Sequence, residues 1–164
     1  MHPDRETETS PFSNAERRGS AIAHASGLLI GIPLLFTGFL PISLAFLPSP
    51  VVSYLIARSF RRHRKAWGAF QAMQASVVQL FVVILAFTAG LFDPTSRPFG
   101  VIAAVGFLTF LYSVWGAWDT LLGYDFRYIG IGDLIDRVSQ TNLSRQERRR
   151  RWFRGCQTSE DDHP

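Results

Sequence analysis

Cysteine is almost absent from this 164-residue chain, since Cys156 is its only cysteine and cannot form a disulfide within the chain. Acidic side chains are fewer than basic ones, 13 against 17. Charge of either sign is missing from residues 19–57, 66–92 and 98–118, with His24 counted as neutral. A bilayer core of about 30 Å is crossed by about 20 apolar residues in a helix. These absences exclude a disulfide-built scaffold, argue against a soluble enzyme and predict an integral membrane protein.

The polar segment that precedes the first apolar run is unlike a secretory signal. Residues 1–18 carry four acids, and the apolar stretch that follows is longer than the apolar region of a signal peptide. We therefore expect the first span to stay in the mature protein. Residues 1–13 have the composition of a disordered tail. Ser13 and Glu16 have the spacing of a capping box, which predicts a helix start at this point.

Basic residues predict the membrane topology, because Lys and Arg near the ends of spans are retained on the cytoplasmic side. They cluster before the first apolar run, directly after it over residues 58–65, and over residues 145–154. In the remaining connection Asp93 and Arg97 cancel each other. The chain must then cross an even number of times between basic clusters. This pattern predicts two helical hairpins with both termini in the cytoplasm.

The predicted architecture is an all-α, integral membrane four-helix bundle within residues 14–138, followed by a basic and then acidic tail over residues 139–164. The spans are expected at about residues 20–40, 41–57, 67–92 and 99–122. Pro41, Pro48 and Pro50 make the second span short, Pro-broken or re-entrant. Alternatively, residues 20–47 form one tilted span, which gives three crossings. Residues 129–138 alternate apolar and charged positions, as in an amphipathic helix on the membrane surface.

Few polar side chains lie within the spans, and they are the candidate site residues. His24 is the only ionisable group in the uncharged runs, and such groups are functional candidates by default. Gln71, Gln74 and Gln79 project from one side of a helix, where amides can hydrogen-bond to neighbouring helices. We expect these four to make polar contacts between helices, in preference to a proton relay or a conduction path. Gly27 and Gly31 form a Gly-xxx-Gly pair that predicts close helix packing.

The sequence contains no recognisable motif for catalysis or for cofactor binding. The four histidines are scattered, and the chain has no CxxC, HExxH or phosphate-binding glycine motif. We therefore predict no enzyme activity, no metal and no cofactor. Asp119 and Asp125 are expected to form a solvated network with Arg127 and Arg137 in preference to a cation site.

Basic clusters next to the spans are expected to bind anionic lipid headgroups, at about 1 kcal/mol per charge. Nucleic acid is the alternative ligand for a run of arginines, but a single run beside a membrane span favours lipid. The predicted headgroup contacts are Arg61, Arg62, Arg64, Lys65, Arg148, Arg149, Arg150 and Arg151.

Several short motifs together resemble the small membrane domain called DUF4870. They are Glu16-Arg17, Ala23-His24-Ala25-Ser26-Gly27-Leu28, Leu40-Pro41, Tyr54-Leu55-Ile56, Ala69-Phe70-Gln71-Ala72 and Gly123-Tyr124-Asp125-Phe126-Arg127-Tyr128. That domain is similar to Tic20, a component of the chloroplast inner-envelope protein import machinery. The resemblance covers roughly residues 14–137, and Gly68 and Ile129 depart from the family pattern. For bacterial members, the resemblance implies a four-helix membrane fold and a location in the inner membrane, but no reaction.

These features predict a non-catalytic accessory or scaffold subunit that binds lipid and other membrane proteins or a second copy of itself. The alternative is a minimal homo-oligomeric channel or protein-translocation component, which the Tic20-like resemblance suggests. Polar residues of the last span are too few to favour a channel lining. A membrane-embedded enzyme would require buried acids or a histidine pair, and the sequence offers neither.

Overall fold

The computed structural model describes residues 12–38, 41–135 and 137, and the regular secondary structure within them is helical. Four helices are long and apolar enough to cross a membrane, with mean hydropathies of 1.3 to 2.0. They are α1 (Asn14–Phe36), α2 (Ile42–Arg62), α3 (Ala66–Ala89) and α4 (Arg97–Leu122). The predicted class, an all-helical chain with four candidate membrane spans, is confirmed.

Helix α1 begins at the predicted capping box. The Glu16 backbone N–H donates to Ser13 Oγ at 3.3 Å, and the Ser13 N–H donates to Glu16 Oε2 at 3.2 Å. The helix therefore starts six residues before the expected span, because a polar turn outside the hydrocarbon can be helical too. It ends at Phe36, and Gly38 then adopts a left-handed conformation with φ of 70°.

Helix α2 is longer than the short, Pro-broken or re-entrant span that we expected over residues 41–57, and its one break adjoins a proline, as in the Pro-broken form of that prediction. It runs from Ile42 to Arg62, with one interruption at Leu47. Pro41 precedes its first turn, and Pro48 is the first residue of the segment Pro48–Arg62. Proline is tolerated there, since its missing N–H would have no intrahelical acceptor. The alternative of one span over residues 20–47 is not formed, because α1 ends at Phe36 and α2 begins at Ile42.

Helices α3 and α4 lie within three residues of their predicted bounds, 67–92 and 99–122. Ser96 caps α4 through its hydroxyl, which accepts from the Phe99 N–H at 3.4 Å, and Gly123 ends it with φ of 92°. In the connection between them, hydrogen bonds from Thr95 lower the pKa of the Asp93 carboxyl. This connection is exposed and compact.

Small residues bring the helices together. Helix α3 packs against α1, α2 and α4, and α1 packs against all three others. The centre is a cluster of alanines on α1, α2 and α3, which allows close approach of the backbones: Ala23, Ala57, Ala72 and Ala75. Helix α4 is the least covered, with 11% of its apolar window buried against 33–39% in the other three.

Residues 128–164 form a separate unit. Within it, residues 131–135 are helical, and Gly130 has φ of 80°. The amphipathic helix over residues 129–138 and its position at the membrane surface stay predictions. The predictions for residues 1–11, for the tail over residues 139–164 and for the arginines at 148–151 fall outside the described residues.

Candidate functional site: a buried polar core

The side chain of Gln79 on α3 joins three helices. Its Oε1 accepts from Ser26 Oγ of α1 and from Ser53 Oγ of α2, both at 2.8 Å. Its Nε2 donates to the carbonyl oxygens of Ala23 at 2.8 Å and His24 at 3.1 Å. Both halves of the amide are thus used between helices, as the sequence predicted for this type of residue.

Ser113 brings α4 into the same network. Its hydroxyl donates to the His24 carbonyl at 2.9 Å and is itself 2% exposed. Together with Gln79, it provides hydrogen bonds from two neighbouring helices to one turn of α1. Ser113 is one of the few polar residues in the last span, and its spacing in the sequence does not predict this contact.

A π-helical turn interrupts α1 directly after the part that the polar core holds. Residues Gly27–Gly31 form this turn, in which the Ile32 N–H donates to the Gly27 carbonyl. The carbonyls of Ala23 and His24 lie in the α-helical turn before it, and they receive the Gln79 amide and the Ser113 hydroxyl. A helical carbonyl can accept such a second donor because its oxygen has two lone pairs.

His24 is enclosed, with 1% of its surface exposed. Its ring meets Phe126 edge to face, at 6.0 Å between centroids and 86° between planes, and its side chain interacts with Gln71. Gly116 of α4 makes room for both rings. A Cβ at Gly116 would lie 2.8 Å from the Phe126 ring and 3.2 Å from His24 Nδ1. The sequence selected His24 but gave no signal for Gly116 or Phe126 as its neighbours.

The segment after α4 is held against α3 by amides. Gln71 Nε2 donates to Asp125 Oδ1 at 3.0 Å, and Gln74 Nε2 donates to the Phe126 carbonyl at 3.4 Å. Trp67 Nε1 also donates to Asp125 Oδ1, at 3.1 Å, while Arg127 pairs with Oδ2 at 3.1 Å. Asp125 therefore connects residues of two chain segments, in addition to the Arg127 contact that the sequence predicted.

Some buried polar atoms have no hydrogen-bond partner within the described part of the chain. They include Ser20 Oγ, Gln71 Oε1 and Ser49 Oγ. Ser49 also lines an internal cavity of about 10 Å³, together with His24, Gln79 and Ser113. A cavity of this size is about one water molecule in volume. The polar core is thus close-packed, with room for at most a single small molecule at this point.

Gly27 and Gly31, at which the sequence predicted close helix packing, face aromatic rings. A Cβ at Gly31 would lie 2.5 Å from Phe46 Cδ1, and one at Gly27 would lie 3.2 Å from Phe110 Cε2. The two rings also meet each other edge to face, with centroids 5.7 Å apart. The glycines therefore form the surface on which a pair of phenylalanines packs.

The basic loop between α2 and α3 lies at the same end of the bundle as the start of α1. Lys65 Nζ donates to Ser13 Oγ at 3.3 Å, and Arg61, Arg62 and Arg64 are exposed. Arg64 itself has a positive φ of 57°. The predicted headgroup contacts that are described thus gather on one exposed end.

In the described residues, no group of three or more His, Cys, Asp or Glu side chains is arranged to hold a metal ion. Comparison with models of protein families, with characterised proteins and with solved structures finds no match for this chain. The resemblance to DUF4870 and Tic20 therefore stays a prediction.

Proposed function

We propose that this protein is a non-catalytic accessory or scaffold subunit of a bacterial inner membrane, which binds lipid and other membrane proteins. Its polar side chains support this role, because Gln79, Ser26, Ser53 and Ser113 hydrogen-bond between helices. Such contacts stabilise a bundle by about 0.6 kcal/mol each on average. The polar core is thus used for structure and presents no open site for a reaction.

The observation that carries the proposal is the uncovered face of α4. Only 11% of its apolar window is buried, and large apolar side chains along its length are exposed. A helix packed on one side only offers the rest of its surface to lipid or to another protein's span. The exposed members include Val101, Val105, Phe107, Leu108, Leu111, Trp115 and Trp118.

Orientation forms part of the same proposal. The four helices form two hairpins, with the basic loop near Lys65 and both termini in the cytoplasm, as the positive-inside rule requires. The Lys65–Ser13 contact supports this arrangement, because it gathers the start of α1 and the α2–α3 loop at one end. The exposed arginines of that loop face anionic headgroups, and residues 129–138 lie along the cytoplasmic surface.

The test is photo-cross-linking in native membranes. A benzophenone amino acid is placed at Leu108 on α4, which is 64% exposed, and in a separate variant at Leu80 on α3, which is 48% exposed. We expect a discrete protein adduct from position 108, identified by mass spectrometry. A reciprocal pull-down with the tagged partner should recover the same adduct. Lipid adducts alone from both positions would contradict the scaffold role.

The channel alternative makes a different prediction. A cavity of about 10 Å³ in the polar core is too small for a continuous water path through the bundle. We therefore expect liposomes that contain the purified protein to show no ion flux above empty liposomes. Flux that disappears in the Gln79→Leu variant would favour the channel instead.

A further inference from the structure

A second cavity, which we call the apolar pocket, lies at the end of the bundle away from the basic loop. It has a volume of about 420 Å³ and is walled by the last turns of α1 and α3 and the first turns of α2 and α4. Ser43 carries the only polar side chain among its lining residues. A pocket of this size falls within the range of ligand-binding cavities.

Small residues on α3 and α4 create this space. Ala86 and Ala89 of α3 and Ala103 and Gly106 of α4 line the pocket. A Cβ at Gly106 would meet only Leu85, at an ordinary 3.7 Å. These side chains have one carbon or none, so they do not fill the space between α3 and α4. A gap therefore remains at this end of the bundle.

An aromatic partition separates the apolar pocket from the polar core. Phe46, Val82 and Phe110 line both this pocket and the 10 Å³ cavity beside Ser49. Phe46 and Phe110 are locked edge to face over Gly31 and Gly27. An occupant of the apolar pocket therefore meets aromatic rings at its inner end and does not reach the hydrogen-bond network.

The pocket is open to its surroundings, since the lining side chains of Ile42 and Phe107 are 53% and 61% exposed. At this depth the surroundings of a membrane-spanning bundle are hydrocarbon chains. A polar ligand would have to lose its hydration here with almost no hydrogen-bonding partner, which is costly. The chemistry of the walls therefore selects an aliphatic chain.

A cationic group stands at the interfacial end of the same pocket. Arg97 is the first residue of α4, two positions before the lining residue Phe99, and it is exposed. Within the described residues its guanidinium makes no hydrogen bond or ion pair. Arginine pairs strongly with phosphate through charge-assisted hydrogen bonds. A phospholipid has both an aliphatic chain, which suits the pocket, and a phosphate, which suits Arg97.

We propose that the apolar pocket binds one acyl chain of a phospholipid from the leaflet opposite the basic loop, with the lipid phosphate at Arg97. This inference deepens the lipid-binding part of the proposed function and rests on it. It concerns a single bound lipid, which is distinct from the general contact of α4 with the bilayer. A Trp side chain at position 103 would occupy part of the pocket and exclude the chain.

The experiment uses the purified protein in vesicles that contain a trace of phosphatidylglycerol with a diazirine on one acyl chain. After irradiation, labelled positions are mapped by mass spectrometry. In the wild type we expect label concentrated on pocket residues such as Ala86 and Phe107. Ala103→Trp should reduce this label by about tenfold, whereas Ala104→Trp, on the exposed side of the same turn, should leave it unchanged.

Arg97→Gln tests the headgroup contact separately. It should reduce pocket labelling by about threefold at low salt and by less at high salt, because ionic contacts are screened. If Ala103→Trp does not yield folded protein, Gly106→Leu fills the same space and should give the same loss. Equal labelling in the wild type and the filled variants, or label spread evenly over the outer faces, would overturn the inference. The vesicles contain no other protein, so this result does not depend on whether the cross-linking test in native membranes finds a protein partner. The two proposals can therefore fail separately.

Discussion

At the scale of single residues, the Gln79 side chain makes four hydrogen bonds to other helices. It accepts from two hydroxyls and donates to two carbonyls, all between 2.8 and 3.1 Å. We expect Gln79→Leu, which keeps the side-chain size, to lower the free energy of unfolding by about 1–2 kcal/mol, because both serines and both carbonyls lose a partner. Equilibrium unfolding in mixed detergent micelles measures this change.

Thr109 provides the matched control for Gln79. Its hydroxyl donates only to the Val105 carbonyl of its own helix, at 2.8 Å. Thr109→Val should therefore change the free energy of unfolding by less than about 0.5 kcal/mol. Equal losses in both variants would mean that the network between helices adds nothing beyond ordinary packing.

Two helical glycines are expected to respond in opposite ways to alanine. At Gly31 the new methyl group would lie 2.5 Å from the Phe46 ring, so Gly31→Ala should destabilise the fold by about 1–3 kcal/mol. At Gly100 nothing lies within 4 Å, and Gly100→Ala should stabilise by about 0.5–1 kcal/mol through helix propensity. Thermal unfolding followed by size-exclusion chromatography compares the two. Phe46→Leu should partly rescue Gly31→Ala, and a failure to rescue would contradict this cause.

At the scale of elements, Asp125 attaches the segment after α4 to α3. Its carboxylate accepts from Trp67 and Gln71, which are 58 and 54 residues away in the chain. We expect Asp125→Ala to destabilise the protein by about 1 kcal/mol, a value reduced by its partial exposure. Proteolysis after residue 122 should also become faster, which limited digestion followed by mass spectrometry would detect.

Asp119 is the control for this element, because it too accepts from a tryptophan indole. Trp115 Nε1 donates to Asp119 Oδ2 at 3.0 Å, but both residues belong to α4. Asp119→Ala should change stability by less than about 0.5 kcal/mol and leave proteolysis as it is. Faster proteolysis in both variants would show that local charge, and not the connection to α3, protects the segment.

The sequence predicted that the four helices exist, but it predicted the residues at which they begin and end less accurately. Uncharged runs mark the part of a helix that lies in hydrocarbon, whereas the helices continue into charged turns such as Arg61 and Arg62. Three prolines in the second span predicted a break, and the helix is interrupted at Leu47, directly before Pro48. The segments on either side are helical because Pro41 and Pro48 precede or begin them, where a missing N–H costs little.

The polar core could be predicted only in part. Helical spacing placed Gln71, Gln74 and Gln79 on one side of α3, and all three are at most 5% exposed. Their partners could not be predicted, because the backbone carbonyls that Gln79 reaches belong to another helix, and helical spacing does not show which helices face each other. The apolar pocket could not be predicted either, because it depends on the distance between helices.

At the scale of the whole molecule, the proposed orientation can be tested with single cysteines. After Cys156→Ser, Arg62→Cys and Thr95→Cys place thiols at opposite ends of the bundle. A membrane-impermeant maleimide should label Thr95→Cys in intact cells and should label Arg62→Cys only after lysis. Labelling of Arg62→Cys in intact cells would indicate three crossings and would contradict the two hairpins.

The two ends of the bundle differ in how tightly they are held. From the basic loop to the middle of the bundle, the alanine cluster, Ser53 and Gln79 fill the interior, whereas residues Ile32–Phe36 of α1 contain no buried side chain and adjoin the apolar pocket. Local opening requires least energy where few buried contacts are lost. Amide hydrogens of Ile32–Phe36 should therefore exchange with solvent deuterium well before those near Ala23. The bundle then separates from the pocket end inward, and a bound acyl chain would slow the first step of that separation.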